Sequence, residues 1–139
     1  MLHLTDADIH NADHRNSEAI VEIEYERQFK SMEQKTFSEV EQFSKHKHVH
    51  VPLFSSDRTK VLLLCLSAGL TVPPHSHPGF DITLQALKGK AILPIVQGDD
   101  KREITLVPGQ IVFVDGGLSF SPRNPFDEDF EMLIHLVKQ

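Results

Sequence analysis

Turn-forming residues divide the chain at about residue 50, and this division limits the folds open to it. All seven glycines and all eight prolines lie after that point. They separate short apolar runs, which are Val61–Leu66, Asp81–Leu87, Lys90–Val96, Arg102–Leu106, Gln110–Val114 and Phe130–Val137. Short strands with turn residues between them are typical of an antiparallel sandwich or barrel. The pattern predicts an all-β body without helical crossovers.

The segment before residue 50 carries two competing patterns. Val21, Tyr25, Phe29 and Met32 have helical spacing, whereas Val21, Ile23 and Tyr25 also alternate with glutamates as in an exposed strand. We favour a helix over residues 17–33. Residues 1–45 hold 10 acidic and 5 basic side chains. We therefore expect an acidic extension over 1–45, serving as a dimerisation arm, and a β-barrel domain over 46–139.

Composition excludes several classes of function. A net charge of −6 argues against a nucleic-acid partner, because binding to phosphates needs concentrated Lys and Arg. No apolar run approaches the ~20 residues that cross a bilayer, and the first residues lack the pattern of a secretory signal. The single cysteine, Cys65, lies inside an apolar run and is interpreted as a core residue. We expect a cytoplasmic protein with no membrane partner.

Metal-binding chemistry is concentrated between Gly69 and Asp81. His75 and His77 are two residues apart, so on an extended strand they point to one face. Imidazole nitrogens bind metals at ~2.0–2.1 Å, and neighbouring histidines on one face can hold one ion. Asp81 follows a Pro-Gly turn and would complete a set of two histidines and one carboxylate, which non-haem iron sites use. The alternative is a pair of polar residues at a strand entrance.

This stretch resembles the first motif of the cupin superfamily. That motif is a glycine, five residues, His-x-His, three or four residues, an acid, six residues and a glycine. Gly69, His75 and His77 match it, and Asp81 takes the place of the acid after three residues. The resemblance implies that Asp81 is a ligand.

The closing part of this motif has an altered spacing. Seven residues separate Asp81 from Gly89, and the four-residue option puts Ile82 at the acid position. Asp81 therefore remains a ligand only if a bulge forms near Phe80. Gln85, on the same strand face as Asp81, is an alternative ligand.

A second cupin motif follows, with every spacing kept. It runs from Gly109 through Asp115-Gly116-Gly117 to Asn124, and Phe120 stands where the family has a metal-binding histidine. The resemblance covers residues 50–137 and implies a double-stranded β-helix, the cupin jelly-roll barrel. It also implies a pocket at one mouth of the barrel, with Phe80, Gln85, Phe120 and His135 in its lining. Homodimers are common in this superfamily, and we expect one here.

Three further features have two interpretations each. His46, His48 and His50 alternate, either as a second metal-binding face or as a cationic, solvent-facing edge strand, which we favour because lysines flank them. His135 in the last strand is a substitute for the missing third histidine if it faces the interior. Arg123 is either an anchor for an anionic ligand or a surface residue of a loop.

Two hypotheses of function follow from different classes. In the first, His75, His77 and Asp81 hold a divalent Fe, Mn, Ni or Zn ion, whose open positions accept a small substrate with O₂ or water. In the second, Phe120 fills the space of the lost ligand, and a metal-free pocket binds a small molecule. We favour a metal-binding protein of unassigned activity. The substrate, the reaction and enzymatic activity itself stay open.

Overall fold

The computed structural model describes residues 32–139, in which Lys35–Gln139 form one unit. This unit contains a short helix, α1 (Phe37–Val40), and eight strands. The strands are β1 (Val49–Ser55), β2 (Thr59–Leu66), β3 (Phe80–Lys88), β4 (Ala91–Gln97), β5 (Asp100–Leu106), β6 (Ile111–Asp115), β7 (Ser119–Phe120) and β8 (Phe130–Lys138). The predicted all-β class is confirmed, and all six strands predicted from apolar runs are present within two residues of their expected bounds.

Helical structure in the described part of the chain is limited to one turn at α1. None of the helices between residues 32 and 139 is long and apolar enough to cross a membrane. The helix predicted for residues 17–33 lies outside the described residues except at Met32 and Glu33, which have no regular structure.

The strands form two antiparallel sheets. The larger has the order β1-β2-β8-β3-β6 and the smaller the order β5-β4-β7. The segment between β2 and β3 continues the smaller sheet beyond β7, through isolated bridges from Thr71 to Arg123 and from His75 to Phe120. The β1 strand is an edge of the larger sheet, as expected for an early strand.

The core lies between the two sheets. Because side chains alternate along a strand, Leu64, Ile82 and Met132 point inward from the larger sheet, and Leu93 from the smaller one, each with 0% exposure. A second apolar cluster covers the outer face of the larger sheet, where Val51, Leu53, Leu63 and Cys65 pack with Val40 and Phe43. Cys65 is buried and free, which confirms the predicted core position.

Candidate functional site

Backbone hydrogen bonds hold the His75–His77 segment in place. His75 and Phe120 exchange two of them, at 3.1 and 3.0 Å. The His77 amide donates to the Gly116 carbonyl at 2.8 Å, and the Gly116 amide donates to the Phe80 carbonyl at 2.9 Å. A Cβ atom at Gly116 would overlap the carbonyl oxygens of His77 and Phe80. Glycine at this point of the second motif is what lets the two motifs approach.

The rings of the two histidines of the first motif are in contact and nearly perpendicular to each other, at an interplanar angle of 86°. Their centroids are 5.0 Å apart, and the His75 ring also lies 4.8 Å from the Phe120 ring. Nδ1 of His75 is 3.0 Å from the Pro73 carbonyl oxygen. Since a carbonyl only accepts hydrogen bonds, Nδ1 carries the proton, and the Nε2 lone pair is left to bind a metal. The predicted pairing of His75 and His77 is therefore present.

Two more histidines extend this pair into a row of four. His50 projects from β1, with its ring centroid 6.5 Å from that of His75 and 5.2 Å from that of His48. His48 and His50 are half-buried, whereas His46 is exposed. The favoured interpretation as a solvent-facing strand therefore holds for His46 but does not hold for the half-buried His48 and His50. The ring contact between His50 and His75 brings β1 close to the segment that continues the smaller sheet.

Burial and mutual repulsion favour the uncharged forms of His50 and His77. The pKa of His50 is lowered to about 4, mainly by burial of its ring and secondly by charge repulsion from the neighbouring His48, His75 and His77. Desolvation, followed by His75 and Lys60, also lowers the pKa of His77. Neutral imidazole is the form that binds a metal.

Three residues predicted for the pocket lie on the opposite side of the larger sheet. Asp81 pairs in register with Asp115 of β6 and Val137 of β8. It precedes the inward-pointing Ile82, so its side chain points outward. There its Oδ1 accepts a hydrogen bond from Gln139 Nε2 at 2.9 Å. Gln85 and His135 share this outer face, since each is also one residue from an inward-pointing residue. The bulge that would turn Asp81 inward is absent from residues 80–86 of β3. The structure does not bring these three side chains to His75 and His77.

Apolar side chains take the inward positions instead. Ile82 and Phe120 are 0% and 1% exposed, and Phe80 packs against the same core. Between residues 32 and 139, no three His, Cys, Asp or Glu side chains are grouped, as they stand, so that they could hold one ion. The imidazole pair nevertheless fits a metal, because its spacing and the fixed tautomer of His75 suit nitrogen ligation.

The arginine and asparagine of the second motif have structural partners. Arg123 forms an ion pair with Glu103 at 3.2 Å on the surface. Asn124 is fully buried and donates from Nδ2 to the carbonyls of Leu66 and Glu128 at 3.0 and 2.7 Å. Asn124 therefore ties the loop before β8 to the end of β2.

Solved structures resemble this architecture. The protein TT1209 of Thermus thermophilus superposes with a TM-score of 0.70 at 25% identity, over 77% of this chain and 98% of its own. A protein of Klebsiella pneumoniae described as having a double-stranded β-helix domain superposes with a TM-score of 0.68 at 18% identity, over 78% of this chain and 91% of its own. A cupin superfamily protein of Desulfitobacterium hafniense superposes with a TM-score of 0.65 at 20% identity, over 79% of this chain and 97% of its own. The chain has the cupin fold. No protein-family model and no curated protein matches this chain.

The cupin barrel keeps half of the ligand positions that the motif resemblance implies. His75 and His77 remain, while Ile82 takes the place of the acid and Phe120 that of the last histidine. Sequence reasoning identified the first pair but did not favour His50. The signal was present in the alternation of His46, His48 and His50, but the approach of β1 to the His75 segment is a contact between distant parts of the chain.

Proposed function

We propose that this cupin-domain protein binds a divalent transition metal through His75 and His77. The observation that supports the proposal is the contact between the two rings, whose centroids are 5.0 Å apart. The segment that carries them is fixed by backbone hydrogen bonds to Phe120 and Gly116. Two imidazoles on one ion, each bound at ~2.1 Å, place their centroids about 5 Å apart. The pair is thus already spaced for one ion.

The chemistry of the donors narrows the choice of metal. Imidazole suits Zn, Fe and Ni, whereas Mn prefers carboxylates and water. Because Asp81 faces the outer side of the sheet, we favour Fe, Ni or Zn over Mn. A bound ion would act as a Lewis acid with coordination positions open to a small molecule. The chain itself binds the ion through the imidazoles and excludes water with Phe80 and Phe120, which pack into the core below.

A metal-free pocket for a small molecule is the second candidate. The burial of Ile82 and Phe120 supports it, because apolar side chains occupy both lost ligand positions. A cupin of this kind would retain His75 and His77 as polar groups that orient the small molecule. Catalysis is part of neither proposal.

Metal analysis of untagged protein, purified without chelator, distinguishes the two candidates. The first predicts about one equivalent of Fe, Ni or Zn per chain, lost in the double variant His75→Ala/His77→Ala. His135→Ala is the matched control, because that histidine lies on the outer face and its loss should leave the metal content unchanged. Metal-free protein that also takes up none of these ions when they are added would contradict the first candidate and favour the second.

A further inference from the structure

We infer that His50 supplies a third imidazole to the ion held by His75 and His77, so that the metal site spans both sheets. This inference rests on the proposed function. It replaces the ligand missing from the second motif by one from β1, a strand that belongs to neither motif.

The topology puts His50 on the correct side of the sheet. It pairs in register with Leu64, which points into the core and is 0% exposed. Residues directly opposite each other in an antiparallel pair share a face, so the His50 ring also points toward the interior. The ring then lies at the edge of β1, beside the segment that carries His75.

For His50 to bind the same ion as His75 and His77, its ring must move closer to that of His75. The separation of His50 and His75 is 6.5 Å, against 5.0 Å between His75 and His77. The excess of about 1.5 Å needs a turn of His50 about χ1, because rotation about χ2 re-aims the ring nitrogens but leaves the ring centroid nearly in place. Before that turn, the described side chains form no group of three donors. The backbone on both sides stays in place, held by the β1–β2 pairing and by the bridge from His75 to Phe120.

The imidazole nitrogens of His50 are free to bind an ion. Among residues 32–139, no hydrogen bond uses a ring nitrogen of His50 or His77, while His75 uses only Nδ1. Among the described residues, the buried side-chain atom without a partner is Oε2 of Glu131, so the ring nitrogens of His50 and His77 are open to solvent and an ion can reach them.

Zinc binding to the full chain tests the inference. Chelator-treated protein is titrated with Zn²⁺, and the dissociation constant is compared between wild type, His50→Ala and His50→Phe. His50→Phe keeps an aromatic ring in contact with its neighbours but removes the metal-binding nitrogens. It therefore separates the loss of a ligand from the loss of packing. His46→Ala is the matched control, an exposed histidine four residues earlier. Ring resonances of the histidines are followed by ¹H–¹⁵N NMR in the same titration.

The expected result is that both His50 variants bind Zn²⁺ at least about 100-fold more weakly than wild type. Loss of a residue that only hydrogen-bonds to a metal ligand lowers metal affinity by about 10–100-fold, so a larger loss indicates direct ligation. His46→Ala should stay within about twofold of wild type, and the rings of His50, His75 and His77 should shift together at one equivalent. If the His50 variants bind like wild type while His75→Ala/His77→Ala does not, the inference is overturned and the proposed function stands. If wild type binds none of Zn²⁺, Ni²⁺ and Fe²⁺ in the same titration, both are overturned.

Discussion

Glu131 is a buried carboxyl group on the outer face of the larger sheet, where it lies opposite Cys65. Its side chain is 3% exposed, and Oε2 has no hydrogen-bond partner within the described residues. Desolvation, and then the neighbouring Glu41, raise the pKa of Glu131 to about 7, against the opposing effect of Lys88. The interaction with Glu131 lowers the pKa of Glu41. Below about pH 7, Glu131 therefore keeps its proton in the folded protein, while the neighbouring Glu41 is ionised.

This pair predicts a loss of stability as the pH rises. A pKa raised by folding stabilises the protein below the unfolded value of 4.5, and this contribution is lost as the pH passes through about 7. We expect this contribution to fall by roughly 2 kcal/mol between pH 5 and pH 8. His50 acts in the opposite direction, because its lowered pKa stabilises the fold as the pH rises towards 6.5. The measured quantity is therefore the difference in unfolding free energy between wild type and Glu131→Gln, which should fall over this range in urea unfolding at each pH. Glu128→Gln, an exposed substitution, should leave the wild-type slope. An equal slope in wild type and Glu131→Gln would contradict the assignment.

At the scale of elements, the contact between the two motifs depends on Gly116. The Gly116→Ala substitution should push apart the backbones at His77 and Phe80, because a methyl group has no space between their carbonyl oxygens. We expect a loss of about 2–3 kcal/mol in unfolding free energy, with shifted His77 amide resonances. Gly117→Ala is the control, since its nearest neighbour is the flexible Asp115 carboxylate at 3.3 Å. Equal stability of the two variants would show that the approach is less restrictive than the structure indicates.

Register explains which parts of the site could be predicted. The strands were predictable because each apolar run has strand length and ends in turn residues, and the His75–His77 pair followed from spacing within one segment. Asp81 was assigned by its distance along the chain, yet side-chain direction in a strand changes with every residue. The strict spacing to Gly89 pointed to Ile82, which is the residue that faces the core. Position in the motif was thus a better guide than chemical type.

Contacts between distant segments were beyond prediction from local patterns. The ring of His50 lies 6.5 Å from that of His75 because the fold brings β1, an edge strand of the larger sheet, near the segment between β2 and β3. Nothing within residues 46–50 distinguishes this arrangement from an exposed edge strand. The two-residue strand β7 was likewise too short to produce an apolar run.

At the scale of the whole molecule, the packed unit begins before the turn-rich body. Glycine and proline first appear after residue 50, and the excess of acidic residues lies in 1–45, which led to a predicted domain boundary at 45/46. In the structure, Lys35–Gln139 form one unit. Turn residues mark where strands end, and they do not mark which segments pack. In this unit, Val40 and Phe43 pack on the outer cluster, and Lys88 lies 5.2 Å from the Phe43 ring.

The residues before β1 should therefore contribute to the stability of the barrel. A chain that begins at His46 loses the apolar cover of Val40 and Phe43, and also the ion pair of Glu41 with Lys88 at 3.3 Å. We expect it to be about 3 kcal/mol less stable to urea than a chain that begins at Lys35, mainly from the apolar area returned to water. The exposed outer cluster should also bind a hydrophobic dye. The double variant Val40→Ala/Phe43→Ala in the full chain should reproduce most of the loss. If the two truncated chains unfold at the same urea concentration, the segment adds no stability, and the boundary at 45/46 is the correct one.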